Sequence, residues 1–269
     1  MVTFNHSGNI GDIIYSLYFC KELISAIDES KFNINLQINV KDPVAGAQKH
    51  PFGDVRLTKS AAEFMKSLLE SQEYINEVTI DENIPDKCVN LDLFRQLKIN
   101  FVSGDIRSWY YNLSMQHLPR EFWKPILTVN PNPLYKDKIL FASTERYQNI
   151  FLDYKVLEPV KDKLIFVGLE SEHKLFCEKY FNLEYLKCNT LEELACYIAG
   201  AKGFVANQCG LYSIAECLKV SRVLTTCEYF NYSNRVCPGP VNVHPLGGWN
   251  EIASTSEKLL SSVKELINV

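Results

Sequence analysis

Short apolar runs and stretches of helical period alternate along the first half of the chain. "VTFN" (2–5), "INLQINV" (34–40), "EVTI" (77–80), "CVNL" (88–91) and "INFVS" (99–103) read as strands. Between them Ile13, Leu17, Cys20, Ile24 and Ile27 recur every three or four residues and predict one face of a helix, and "SAAEFMKSLLESQEYI" (60–75) predicts a second. The rhythm breaks at "HLPREFWKPILTVNPNPLYKDK" (117–138), whose four prolines and weak periodicity mark a connection. It then resumes with "ILFAS" (139–143), "LIFVG" (164–168), "GFVAN" (203–207) and "RVLTT" (222–226), runs of the kind that fill a parallel sheet buried on both faces. Thr190 with Glu193, and Ser254 with Glu257, form capping boxes that predict helix starts before Leu191, Leu194, Ala195 and Ile198 and before Leu259, Leu260, Val263, Leu266 and Ile267.

Alternating strands and helices predict an α/β chain. We divide it into two Rossmann-like domains, residues 1–130 and 131–269, facing across a cleft, with the last helix crossing back. No internal repeat or low-complexity tract interrupts the pattern. Ligands in such folds sit at the carboxyl ends of the strands, which directs attention to the loops 6–12, 143–149, 168–173 and 207–211.

Composition narrows the partners. The 269 residues carry a net charge of −4, which argues against a polybasic surface for nucleic acid or membrane and points to a small-molecule or protein partner. No stretch approaches the roughly 20 apolar residues of a membrane span. The nine cysteines include no C-x-x-C pair and are odd in number, so reduced thiols in a cytoplasmic chain are expected rather than a zinc ribbon or a disulfide framework. The start "MVTFNHSG" lacks the basic and apolar regions of a signal peptide, so the sequons at Asn112 and Asn231 carry no consequence in this reading.

Four loops can carry chemistry. In "FNHSGNIGDIIYSL" (4–17), Gly8 and Gly11 permit close backbone approach beside Asn9, and Asp12 either caps its own helix or serves as a general base. The spacing is not G-x-G-x-x-G, so a dinucleotide fingerprint is not supported. In "ASTERYQN" (142–149), Arg146 offers a guanidinium fork and Thr144 a hydroxyl to phosphate oxygens, the alternative being an Arg paired with Glu145. Gly168 ends a strand before Glu170, and His173 reads as a solvated helix residue. In "GFVANQCGLYSIAECL" (203–218), Asn207, Gln208, Cys209, Gly210 and Leu211 join strand to helix, so that backbone N–H groups can hold a phosphate without a basic residue. Glu216 on that helix is either a ribose ligand or a solvated carboxylate, and Cys209 lacks the neighbouring activator a nucleophile needs.

These segments, in this order, resemble the ADP-heptose:lipopolysaccharide heptosyltransferase family (glycosyltransferase family 9), especially smaller members from phages and bacteria. "GNIGDIIYSL" is similar to the family's N-terminal glycine–Asp loop, "TERY" and "FVGLESEHKLF" to the first turns of its C-terminal half, and "TLEELACYIAGAKGFVANQCGLYSIAECL" to its donor-binding segment. The resemblance implies a GT-B fold and sugar transfer from a nucleotide-diphosphate sugar to an acceptor hydroxyl, inverting and metal-independent, with no cofactor besides that donor. It makes Asp12 the base, Arg146 a ligand of the leaving diphosphate, and Gln208, Cys209, Gly210 and Leu211 neighbours of the phosphates. The acceptor stays open among a saccharide, a lipid-linked sugar, a protein and a modified DNA base. The family shows an Asp-Ser/Thr-Gly segment with a His three residues beyond the Gly, where this chain has Gln208 and Ser213. Those departures favour the alternative of a non-catalytic nucleotide-binding or interaction module on the same fold.

Overall fold

Polar alternation sets the first sheet apart. In β2 (Phe32–Gln37) the apolar Phe32, Ile34 and Leu36 alternate with Asn33, Asn35 and Gln37, so only one face of this strand is greasy. The computed structural model describes residues 1–42, 53–99, 105–149, 151–226 and 244–268, with the backbone alone at Arg146. In it β1 (Thr3–His6), β2, β3 (Ile75–Asp81) and β4 (Val89–Asn90) form a parallel sheet ordered β3-β2-β1-β4. On its polar face Asn35 donates to Asn5 Oδ1 at 2.8 Å, Thr79 donates to Asn35 Oδ1 at 2.8 Å, and Asn5 donates to Gln37 Oε1 at 3.1 Å. Such a row satisfies amides that burial would otherwise leave costly.

The second sheet is parallel throughout, ordered β10-β9-β8-β5-β6-β7. It comprises β5 (Ile139–Ala142), β6 (Leu164–Val167), β7 (Glu184–Leu186), β8 (Gly203–Asn207), β9 (Arg222–Thr225) and β10 (Asn250–Ala253). Every residue of β5, β6, β8 and β9 is buried, as their apolar runs predict, the polar Asn207, Arg222 and Thr225 included. β7 and β10 are edge strands of mixed polarity, which hid them from a pattern search.

Among the described residues the α-helices are α1 (Ile10–Ser25), α2 (Lys59–Glu70), α3 (Ile106–Tyr110), α4 (Glu170–Lys179), α5 (Leu191–Gly200), α6 (Gly210–Leu218) and α7 (Ser256–Asn268). α1 packs on α6 and α2 on α5. One apolar core therefore runs from Phe4 and Ile34 of the first sheet to Ile165 and Phe204 of the second. The outer face of the second sheet has its own cluster, in which Phe141, Phe166 and Val223 meet Leu259, Val263 and Leu266 of α7. The expected crossing back of the last helix is thus corrected: its apolar stripe is spent on the second sheet. Its cap also shifts by one residue, because Thr255 Oγ1, not Ser254, accepts the Lys258 N–H at 3.2 Å. The Thr190 cap forms as predicted, accepting the Glu193 N–H at 3.1 Å. The seven described cysteines are free thiols; Cys227, Cys237, the Asn231 sequon and most of the predicted strand 99–103 lie outside the described residues.

Candidate functional site

Each sheet reverses its winding at a definite strand. In the first, chain order runs outward from β1 through β2 and β3 on one side, with β4 on the other. In the second, β5 is followed by β6 and β7 on one side and by β8 to β10 on the other. The crevices beside β1 and between β5 and β8 are therefore the topological switch points where α/β sheets bind ligands. The two meet. A Cβ built on Gly11 would lie 3.5 Å from Gly210 Cα, and one on Gly210 would lie 3.2 Å from Ile10 Cβ, so the starts of α1 and α6 touch through their glycines.

The β1 side carries the charge. Asp12 does not cap α1; its Oδ2 accepts from Arg95 at 2.8 Å. Arg95 Nε also lies 3.4 Å from Asp92 Oδ1, and Asp92 Oδ2 accepts the Ser7 N–H at 2.7 Å. His6, fully buried, takes the Gly8 N–H on Nδ1 at 2.9 Å and has Tyr110 Oη 2.9 Å from Nε2. Tyr110 donates in turn to the Asp12 carbonyl at 3.0 Å. Gly8 is required here by packing: a Cβ on it would fall 2.5 Å from the His6 ring and 2.8 Å from Asp12 Cβ. Burial lowers the His6 pKa below 6.5 and outweighs Asp92 and Asp12, which pull the other way. Burial would raise Asp92, but His6, the Ser7 N–H and Arg95 prevail and hold it below its ordinary value. Asn9, at the N-cap of α1, makes no cap bond, and its Oδ1 is buried without a hydrogen-bond partner.

The β8 side is neutral. Asn207 is buried and clamps Thr144, accepting its N–H at 3.0 Å and donating to its carbonyl at 2.8 Å. This ties the loops after β5 and β8 together and removes the Asn207 amide from the set of phosphate ligands. Cys209 occupies the N-cap of α6 without capping it, and burial pushes its thiol up to about 12, the opposite of the shift that activates a thiol. Gly168 joins the group from β6: a Cβ there would meet Glu172 Oε2 at 3.2 Å and Leu211 Cδ1 at 3.8 Å. Burial pushes Glu172 up to about 7, against the Leu169 N–H that it accepts, and Glu145 adds to the rise. Ser143, Glu145, Gln148, Glu172, Phe176 and Tyr180 line part of a cavity of about 280 Å³ beside the loop after β5. The side chain of Arg146 lies outside the described structure.

Two expectations are corrected. Glu216 is neither solvated nor available to a ribose: it is fully buried, and its oxygens are held by Arg107 at 2.6 Å, Lys219 at 2.6 Å and Arg222 at 2.5 Å. His173 is only partly solvated, since Nε2 donates to the Leu183 carbonyl at 2.8 Å and its ring stacks on Tyr185 at 4.9 Å. His6, Asp92, Arg95 and Tyr110 were not among the sequence candidates. "CVNL" reads as a strand, and the loop at its carboxyl end, "DLFRQ", carries Asp92 and Arg95 where ligands of such sheets sit.

No protein-family model matches the sequence, and neither does any curated protein sequence. Solved structures do match its fold. A glycosyl transferase family 9 protein from Veillonella parvula DSM 2008 aligns over 99% of this chain and 97% of its own, with a TM-score of 0.63 and 10% identity. The E. coli heptosyltransferase WaaC with ADP aligns over 99% and 98%, with a TM-score of 0.54 and 13% identity. TibC, a dodecameric iron-containing heptosyltransferase from enterotoxigenic E. coli, was solved in complex with ADP-D-beta-D-heptose. It covers 99% of this chain over 76% of its own, with a TM-score of 0.57 and 10% identity. The chain thus has the two-sheet α/β fold of these proteins.

Proposed function

We propose that this chain is a glycosyltransferase that moves a sugar from a nucleoside-diphosphate sugar to an acceptor hydroxyl. The observation that carries the reading is the place of Asp12, a part-exposed carboxylate where two switch-point loops meet. The full-length likeness to heptosyltransferases solved with ADP and ADP-heptose supports it.

In the proposed reaction Asp12 accepts the proton of the acceptor hydroxyl as its oxygen attacks the anomeric carbon. The bond from that carbon to the diphosphate breaks, and its electron pair leaves with the nucleoside diphosphate. Backbone N–H groups of residues 208–211, at the start of α6, stabilise the departing charge, with Arg146 as a further ligand. Direct displacement inverts the anomeric centre and needs no metal, so activity is expected to survive chelation by EDTA.

Donor binding is tested by thermal shift against ADP-heptose, UDP-glucose and GDP-mannose. A ligand present at about 100 times its Kd adds about 2.7 kcal/mol of stability. A rise in Tm with at least one donor is expected, and a flat response to all three would overturn the proposal. Binding without release of nucleoside diphosphate would instead indicate the non-catalytic module, a reading that Gln208 and Ser213 favour.

A further inference from the structure

The two nitrogens of His6 are distinguished by their neighbours. Because the Gly8 N–H donates to Nδ1 at 2.9 Å, the proton of the neutral ring sits on Nε2 and points to Tyr110 Oη at 2.9 Å. Tyr110 is then free to donate to the Asp12 carbonyl at 3.0 Å. Every donor in this chain meets an acceptor only while the imidazole is neutral. A second arm leaves the same ring through Asp92, whose Oδ1 is 3.6 Å from Nδ1, and Arg95, which bridges Asp92 to the Asp12 carboxylate at 3.4 and 2.8 Å. One arm ends on the backbone of Asp12 and the other on its carboxylate.

We infer that His6 is a positioning residue for Asp12, holding the turn from residue 6 to residue 12 so that the carboxylate faces the acceptor. The inference rests on the proposed role of Asp12 as base. The groups around the ring are Asp92 and Arg95 from the segment after β4, Arg56, Asp12 of α1 and Tyr110 of α3. A proton arriving on Nδ1 turns it from acceptor to donor and sets it against the Gly8 N–H. The imidazolium also draws Asp92 away from Arg95. Arg95 is left with Asp12 alone, the turn loses its Gly8 anchor, and the base is both misplaced and more tightly paired.

The test combines nitrogen-15 NMR of the wild-type chain, with carbon-13 detection of the Asp12 carboxyl, and kinetics of three variants. His6→Gln keeps a donor near the Nε2 position, whereas Tyr110→Phe cuts the first arm and Asp12→Ala removes the base. His6 is expected to show the neutral Nε2–H pattern at neutral pH, and the Asp12 carboxyl resonance is expected to move in Tyr110→Phe. That variant is expected to lose kcat by about tenfold to a hundredfold, the scale of a misaligned group, with donor KM little changed. His6→Gln, which removes the Nδ1 acceptor of the Gly8 N–H, is expected to lose kcat on a similar scale, again with donor KM little changed. A His6 that is charged or Nδ1-protonated at neutral pH overturns the positioning role. So do a kcat and Asp12 resonance unmoved by Tyr110→Phe, or a kcat unmoved by His6→Gln. These results with an inactive Asp12→Ala overturn the positioning role alone, whereas a fully active Asp12→Ala overturns the base and the positioning role with it.

Discussion

Two clusters of arginine and carboxylate lie in this chain, and they are built to opposite ends. Around Glu216 the charges are mostly internal: Glu216, Arg107 and Arg222 are fully buried, Lys219 is 7% exposed, and Asp105, 13% exposed, closes the far side of Arg107. Further guanidinium N–H groups go to the carbonyls of Phe122, Val220, His244, Leu246 and Gly247. Around Asp12 the same residue types stay partly open, with Asp12 18% and Arg95 29% exposed. Among the described residues the buried Glu216 carboxylate is fully occupied by cations, and this first cluster pins together segments distant in sequence. The second holds a carboxylate that can still meet a substrate. Charge, aromatic neighbours and arginine occur in both; access separates a structural lock from a chemical site.

The largest effect is expected at the closed cluster. Glu216→Ala leaves Arg222 buried without its acid and Arg107 with Asp105 alone, and is expected to cost about 3–5 kcal/mol in denaturant unfolding. If stability is unchanged, the lock reading is wrong. Asp12→Ala sharpens the contrast from the other side: sugar transfer is expected to fall by about 10²–10⁴-fold, the contribution of a general base. Its stability is expected to change by less than about 1 kcal/mol, because the broken pair is part-exposed. Parallel losses of stability and activity in both variants would erase the distinction between the clusters.

Smaller effects probe the ground between them. Gly210→Ala places a methyl group 3.2 Å from Ile10 Cβ where α1 and α6 touch, and is expected to cost about 1–3 kcal/mol by overpacking. A neutral result there would mean that the two helix starts can separate freely. Glu172→Gln addresses pH. The native carboxyl titrates at about 7, above its ordinary 4.5, so the folded chain keeps a proton that the unfolded chain releases in between. Wild-type stability is therefore expected to fall as pH rises across that window, and Glu172→Gln to fall less steeply when Tm is followed against pH.

Much of the architecture was legible because local pattern and burial agree. The unbroken apolar runs of β5, β6, β8 and β9 fill a doubly covered sheet, and Thr190 caps α5 as its spacing predicts. The polar alternation of β2 is equally readable, yet the first sheet's amide row depends on register with β1 and β3 that spacing does not contain. The site was half legible. Gly8, Gly11 and Asp12 stand together in sequence, but their partners arrive from afar: Asp92 and Arg95 follow a two-residue strand, and Tyr110 comes from the short helix α3. Glu216 was misread because helical position alone does not reveal its burial, nor that Arg107 arrives from α3 to join the nearby Lys219 and Arg222 around it.

The central claim is most directly tested by phosphorus-31 NMR of ADP-heptose, UDP-glucose and GDP-mannose incubated with the wild-type chain and with Asp12→Ala, water standing in for the acceptor. The account predicts that wild-type protein releases nucleoside diphosphate from at least one donor, and that Asp12→Ala binds that donor equally well but releases it at least about a hundredfold more slowly. Equal rates in the two proteins, or no release from any donor by the wild type, would contradict it.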